Sequence, residues 1–401
     1  MAAGLTGGAN LEWHAHLARG SRARRPSTLQ KLMRDEAHRN GGQPGRVLHI
    51  VPALFGPDDG IVGGAERYAL ELARHMADEV PTTLVSFGDR ARHETLGRLK
   101  INVIGDPWYV RGQRTNPISF SLISELRKAD VIHCHQQHVM ASSLAALVGQ
   151  LTRRRVFVSD LGGGGWDISA YVSTDRWYRG HLHISEYSRT TFAHTDKRWA
   201  HVILGGVDTG KFSPDERVAR DGTVLFVGRL LPHKGVNDLV NAVGPDIPLE
   251  IIGQAGDAKF LADLKELATG KRVTFRHNCN DAELVQAYRK ASCVVLPSVY
   301  TTMYGAESRV PELLGQTLLE GMACGTPAVC TEVASMPEVV EDGVTGFVVP
   351  PNDSAALGQK LRWLGANPED ASRMGEAARR RVMEKFTWPQ VVRRCLEVYT
   401  A

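Results

Sequence analysis

The feature that most constrains this chain is an alternation that runs twice. From 46 to 208, short apolar runs bounded by Gly, Pro or polar residues alternate with segments whose apolar residues recur every three or four positions. A polar stretch follows at 208–221, and the same alternation restarts at 222. Apolar run, loop and amphipathic helix form the repeating unit of a mostly parallel sheet covered on both faces. In the first half the pattern predicts strands at 46–51, 82–87, 101–104, 130–135, 156–159, 181–185 and 202–204, and helices at 65–76, 118–127, 139–151 and 187–193. In the second it predicts strands at 223–227, 249–252, 273–275, 293–296, 328–330 and 346–349. Helices fall at 236–243, 257–268, 281–290 and 316–323, and three more fill the end, at 354–364, 368–385 and 389–399. A chain of 401 residues, 43% of them hydrophobic, can bury two such cores. The expected organisation is α/β with two Rossmann-like domains, at 46–208 and 222–387, joined by a linker at 209–221. The C-terminal helix, 388–401, is expected to pack back on the first.

Residues 1–45 differ from the rest. They hold seven Arg and Lys against three acidic residues, a difference of +4 that equals the net charge of the whole chain. The body therefore balances to zero, and its charge does not point to nucleic acid. The segment reads as a disordered extension, with peripheral membrane contact through its arginines as a second reading. No apolar run approaches the roughly 20 residues that span a bilayer, so the expected location is cytoplasmic, or peripheral at the inner face of the membrane. The six cysteines are scattered and form no C-x-x-C pair, which predicts reduced, buried thiols and no structural metal.

Two stretches carry chemistry. In residues 311–327 (PELLGQTLLEGMACGTP), Glu312 precedes a helix and Glu320 lies within it. The free N–H groups expected around Gln316, Thr317 and Leu318, with the helix dipole behind them, suit a phosphate, and carboxylates accept hydrogen bonds from sugar hydroxyls. On spacing alone, a helix carrying two solvated glutamates satisfies the pattern equally. In residues 226–235 (FVGRLLPHKG), a strand ends in glycine and Arg229 and Lys234 follow in the loop. Both can reach a diphosphate, and both can be plain loop cations.

Together these stretches resemble the GT-B glycosyltransferases of family 4. Glu312 and Glu320 match the E-x7-E element, and Arg229 and Lys234 the basic pair. Gly63-Gly64-Ala65-Glu66, the strand DVIHCH ending at His135, and VILGGVD at 202–208 match the first domain, and residues 337–347 match later in the chain. The resemblance runs from about Arg46 to the end. Leu314 stands where the family often has Phe, and Gly205 where it has Asn.

The resemblance implies a retaining, metal-independent transfer of a sugar from a nucleotide-diphosphate donor to an acceptor hydroxyl on a glycan, a lipid-linked sugar or a small molecule, as in polysaccharide biosynthesis. It implies that Glu312 holds donor-sugar hydroxyls and Glu320 the ribose. Arg229 and Lys234 neutralise the leaving diphosphate, and Gly63 and Gly64 let the backbone approach the donor. His135 faces the donor sugar. Trp166, in DLGGGGWD, is a candidate acceptor platform or a hydrophobic anchor. No D-x-D triplet is present to hold a metal, and no cofactor is expected. A nucleotide-sugar epimerase of the same fold and a non-catalytic nucleotide-sugar-binding protein are the alternatives.

Overall fold

The computed structural model describes residues 45–55, 63–162 and 165–401. The basic N-terminal segment, with the disorder and membrane contact expected of it, lies outside these residues, as does most of the first glycine-rich loop. The chain divides into two compact units. One holds residues up to 182 with 198–201 and 392–401, and the other holds 183–197 with 202–391.

This grouping differs from the expected boundary at 208. Residues 183–197 group with the second unit because the helix Glu186–Thr191 is anchored there. The Glu338 carboxylate accepts from the N–H groups of Glu186 and Tyr187 at 2.8 and 2.7 Å, and the Ser185 hydroxyl donates to the Leu313 carbonyl at 2.9 Å. The segment expected as the linker is bonded within the second unit, where the Lys211 ammonium meets Asp281 at 2.7 Å and Arg220 donates to the Ala291 and Gly325 carbonyls. Of the final helix, only residues from 392 onward group with the first unit.

In the first unit, strands β1 (Val47–Ile50), β2 (Thr82–Gly88), β3 (Arg92–Leu96) and β4 (Leu99–Gly105) precede a two-stranded hairpin of β5 (Trp108–Tyr109) and β6 (Pro117–Ile118). Then come β7 (Val131–Cys134), β8 (Arg155–Val158), β9 (Gly180–His183) and β10 (Ala200–Val202). The main sheet is ordered β10-β9-β8-β7-β1-β2-β4-β3. Its pairs from β9 to β4 are parallel, and β3 runs antiparallel at the edge. Side chains alternate faces along each strand. Leu48, Ile50, Ile132, Cys134, Val156 and Val158 build one core with Leu122, Leu126 and Ala145 from the helices Leu122–Leu126 and Met140–Thr152. The alternate residues, among them His49, His133 and Phe157, face the other way, where Tyr399 of the final helix packs on His133 and Phe157. The helix expected at 118–127 starts at Leu122 instead, because Ile118 pairs with Trp108 across the hairpin.

In the second unit, β11 (Val224–Val227), β12 (Leu249–Ile252), β13 (Val273–Arg276), β14 (Cys293–Leu296), β15 (Ala328–Thr331) and β16 (Gly346–Val349) form a wholly parallel sheet ordered β13-β12-β11-β14-β15-β16. Its order reverses between β11 and β14, and the carboxyl ends beside such a reversal are where open α/β sheets bind ligands. Local chemistry fixes the helices. Asp257 and Asp353 cap helix N-termini with their side chains, and Asn280 and Glu283 form a reciprocal capping box. Phe226, Phe260 and Leu319 are fully buried, each contributing about 1.5–3 kcal/mol by leaving water.

Five of the six cysteines are buried and all are unpaired. Burial pushes the thiols of Cys134, Cys293, Cys324 and Cys395 up to about 12, so they are uncharged packing groups. Among the described residues, no helix is long and apolar enough to cross a membrane.

Candidate active site

The second unit gathers its charged candidates at the carboxyl ends of β11 and β14. After β11 the chain passes Arg229, turns through Pro232–Lys234 and reaches Gly235, whose φ of 64° is left-handed. A Cβ at Gly235 would sit 1.9 Å from the Pro297 carbonyl oxygen, so glycine alone lets this loop close against the end of β14. The loop delivers Lys234 to Glu312. The ammonium meets the carboxylate at 2.6 Å, with the two side chains only 15% and 16% exposed. The other Glu312 oxygen accepts from the Gly315 N–H at 3.3 Å.

Gly315 (φ 80°) is the N-cap of the helix Gln316–Ala323, and a left-handed cap turns the chain sharply from the Glu312 loop into the helix. The expected free N–H groups need one correction. Leu318 N–H already donates to the Gly315 carbonyl at 3.0 Å, so the open end consists of Gln316 and Thr317, whose N–H groups precede the first intrahelical bond. The Gln316 side chain donates to the Gly206 carbonyl at 3.2 Å.

Glu320 is buried, and Tyr288, fully buried on the neighbouring helix, donates to it at 2.8 Å. Burial first, and then the Glu320 carboxylate, raise the Tyr288 phenol well above its usual range. The phenol is therefore a fixed donor that orients Glu320. Arg229 is exposed. His233, half buried, feels Lys234, Glu312 and Arg229 together. Its pKa is lowered by burial first and then by Lys234, which places all three charges around one imidazole.

The first unit presents a different set. His135, expected to face the donor, is 2% exposed, and its Nε2 lies 2.8 Å from His49 Nδ1. The parallel register sets His49 beside His133, and His133 is hydrogen-bonded to Ser159 at 2.9 Å and to Tyr399 at 2.7 Å. Burial lowers all three imidazoles, His49 to about 3, so the cluster is neutral. His49 Nε2 and His135 Nδ1 are buried with no partner.

Gly63 is the N-cap of the helix Gly64–Glu79 and Gly64 its first residue. A Cβ at Gly64 would meet nothing within 4 Å, so this position leaves open space at a helix start. Trp166 is half buried and is stacked by Arg111.

Sequence reasoning missed Tyr288, His49 and Tyr399. Tyr288 and Tyr399 sit in helices as ordinary apolar-face residues. His49 left one trace, a single polar residue inside the apolar run VLHI.

The sequence and the two-unit α/β frame are similar to those of known proteins. The Glycosyltransferase Family 4 model matches residues 62–211, and the Glycosyl transferases group 1 model matches 211–381. Alpha-maltose-1-phosphate synthase of Mycolicibacterium smegmatis is 29% identical over 323 residues, covering 70% of this chain and 81% of that protein. Glycogen synthase of Mycobacterium tuberculosis is 32% identical over 209 residues, 50% of this chain and 48% of that one. The crystal structure of Anabaena Alr3699/HepE in complex with UDP and glucose aligns with a TM-score of 0.68 at 20% identity, covering 88% of this chain and 99% of that one. The chain is a glycosyltransferase of the GT-B fold and belongs to the family 4, group 1 type.

Proposed function

We propose that the protein transfers a sugar from a nucleotide-diphosphate donor to an acceptor hydroxyl, with retention of anomeric configuration and without a metal ion. The observation that carries this reading is the convergence of Lys234, Glu312 and the open helix end at Gln316 and Thr317, with Arg229 in the same loop as Lys234. Cleaving a sugar–phosphate bond builds positive charge on the sugar and negative charge on the diphosphate. A helix N-terminus with one arginine and one lysine opposes the second charge, the work a metal does elsewhere. The Lys234 ammonium has three donors, one of them on Glu312, which leaves two for phosphate oxygens.

Glu312 then holds sugar hydroxyls and Glu320, oriented by Tyr288, holds the ribose. No side chain is assigned as nucleophile, and the departing phosphate accepts the acceptor's proton. The relatives, a maltose-1-phosphate synthase and a glycogen synthase, support a glycan or sugar acceptor. The UDP and glucose in the complex with the Anabaena protein support a nucleotide-hexose donor.

The test is a thermal-shift screen against UDP-, GDP-, ADP- and TDP-sugars, followed by incubation of the stabilising donor with and without sugar acceptors. Acceptor-dependent release of nucleoside diphosphate is expected, with the anomeric coupling of the product matching that of the donor. A new nucleotide sugar formed from donor alone would make the protein an epimerase. Failure of every donor to stabilise the protein would overturn the reading.

A further inference from the structure

Three loops of the first unit leave the carboxyl ends of parallel strands and meet around one aromatic side chain. The loop after β8 carries Trp166, and its Gly165 N–H donates to the His138 carbonyl of the loop after β7 at 2.7 Å. The hairpin after β4 supplies Arg111, whose guanidinium carbon lies 4.7 Å over the Trp166 ring. Tyr171 meets Trp166 edge-on with ring centroids 5.9 Å apart, and it is 76% exposed.

Buried polar groups hold this surface in place. Asn116, fully buried, donates to the Trp166 carbonyl at 2.7 Å and accepts from Met140 N–H at 2.8 Å, which ties the loop to the start of the helix Met140–Thr152. Asp167, 1% exposed, accepts from Ser143 at 2.7 Å and from the Ser169 N–H at 3.0 Å.

Arg111 is the unusual member. Its φ of 52° and ψ of 29° put a non-glycine residue in the left-handed region, a conformation that persists only where surrounding structure enforces it. Its neighbour Arg114 is neutralised by Asp89 at 3.1 Å, whereas Arg111 has no carboxylate partner among the described residues. A guanidinium resting on an indole is held in position while its N–H fork stays available to a carboxylate or phosphate. An exposed tyrosine ring beside it offers an apolar face to a pyranose.

We infer that Arg111, Trp166 and Tyr171 form the acceptor-recognition site, taking a sugar ring against Tyr171 and an anionic substituent of that sugar on Arg111. The inference rests on the glycosyltransferase reading and narrows its acceptor to a sugar bearing a phosphate or carboxylate.

The experiment uses the full chain and whichever donor stabilises it. Transfer is measured to glucose, glucose 1-phosphate, glucose 6-phosphate and glucuronate, by the wild type and by Arg111→Ala, Arg111→Lys and Tyr171→Ala. An anionic sugar is expected to be used in preference to glucose. Arg111→Ala should raise the KM for that acceptor about 10- to 100-fold, the scale of one charge-assisted pair, while the thermal shift produced by donor stays at the wild-type value. Arg111→Lys should recover part of the loss, and Tyr171→Ala should weaken charged and neutral sugars alike. Glucose used as well as its anionic counterparts, no transfer to any anionic sugar by a protein that binds donor, or an unchanged acceptor KM in Arg111→Ala would each overturn the inference and leave donor binding standing. Absence of donor binding would overturn the underlying reading and this inference with it.

Discussion

The polar cluster of the second unit is built around an ion pair, and that of the first around buried imidazoles. At the head of the helix Gln316–Ala323, Lys234 and Glu312 form an ion pair close to an exposed Arg229. In the first unit His49, His133 and His135 are buried and uncharged, with His49 hydrogen-bonded to His135, and His133 to Ser159 and Tyr399. The difference separates two uses of polar side chains. One set presents charge at a helix N-terminus, and the other fills a core position where any charge would be costly.

Acid should break the comparison most strongly. The buried histidines are neutral when folded, with His49 lowered from 6.5 to about 3, whereas the unfolded chain takes up protons below about 6.5. Their contribution is therefore complete above pH 6.5 and is lost as pH falls from there toward 3. A histidine that titrates in that window costs on the order of 1 kcal/mol per pH unit. Urea titrations at pH 7 and pH 5 should show the first unit losing stability well ahead of the second. Equal losses in both units would remove the cluster's special status.

Next in size is the charged set. Arg229→Ala or Lys234→Ala should lower turnover by at least about 100-fold, the scale of a lost transition-state charge stabiliser, with thermal stability near that of the wild type in Arg229→Ala and somewhat lower in Lys234→Ala, which leaves Glu312 without its cation. Near-normal kinetics in both variants would show that these cations do not serve the leaving group. Smaller again is Tyr399→Phe, which leaves His133 Nδ1 buried without its 2.7 Å partner. A loss of about 1–3 kcal/mol is expected in denaturant titration, with little change in kcat measured below saturation by denaturant. A wild-type midpoint would mean that the phenol is dispensable. Smallest is the effect of a chelator: EDTA should leave the transfer rate unchanged, and a loss restored by Mg²⁺ or Mn²⁺ would assign the diphosphate to a metal after all.

The second unit was the more legible in sequence. Leu249–Ile252, Asp281–Lys290, Cys293–Leu296 and Gln316–Ala323 fall where periodicity and capping residues put them. Each is a strongly apolar run or a helix with a side-chain cap or glycine at its start. The first unit resisted where tertiary pairing overrides local pattern. Arg92–Leu96 (RHETL) is a half-exposed edge strand with no apolar alternation to announce it, and Ile118 was drawn from an apparent helix into a two-residue pairing.

The candidate site was legible as residue types and not as contacts. Glu312 and Lys234 stand 78 positions apart, and only the meeting of the β11 and β14 loops makes them a pair. The histidine cluster depends on the register that sets His49 beside His133, and register cannot be read from either strand alone.

The Lys234–Glu312 pair also has a consequence for how tightly a donor can be held. In the free protein the ammonium already has an occupant, so on the proposed reading a donor reaches it through its two remaining N–H groups and meets a charge that Glu312 already opposes. Such a built-in competitor leaves the lysine charge partly satisfied at every stage, including after the sugar has left and only the diphosphate remains. On that reading, the same contact that holds Lys234 in place limits how firmly the spent nucleotide is retained.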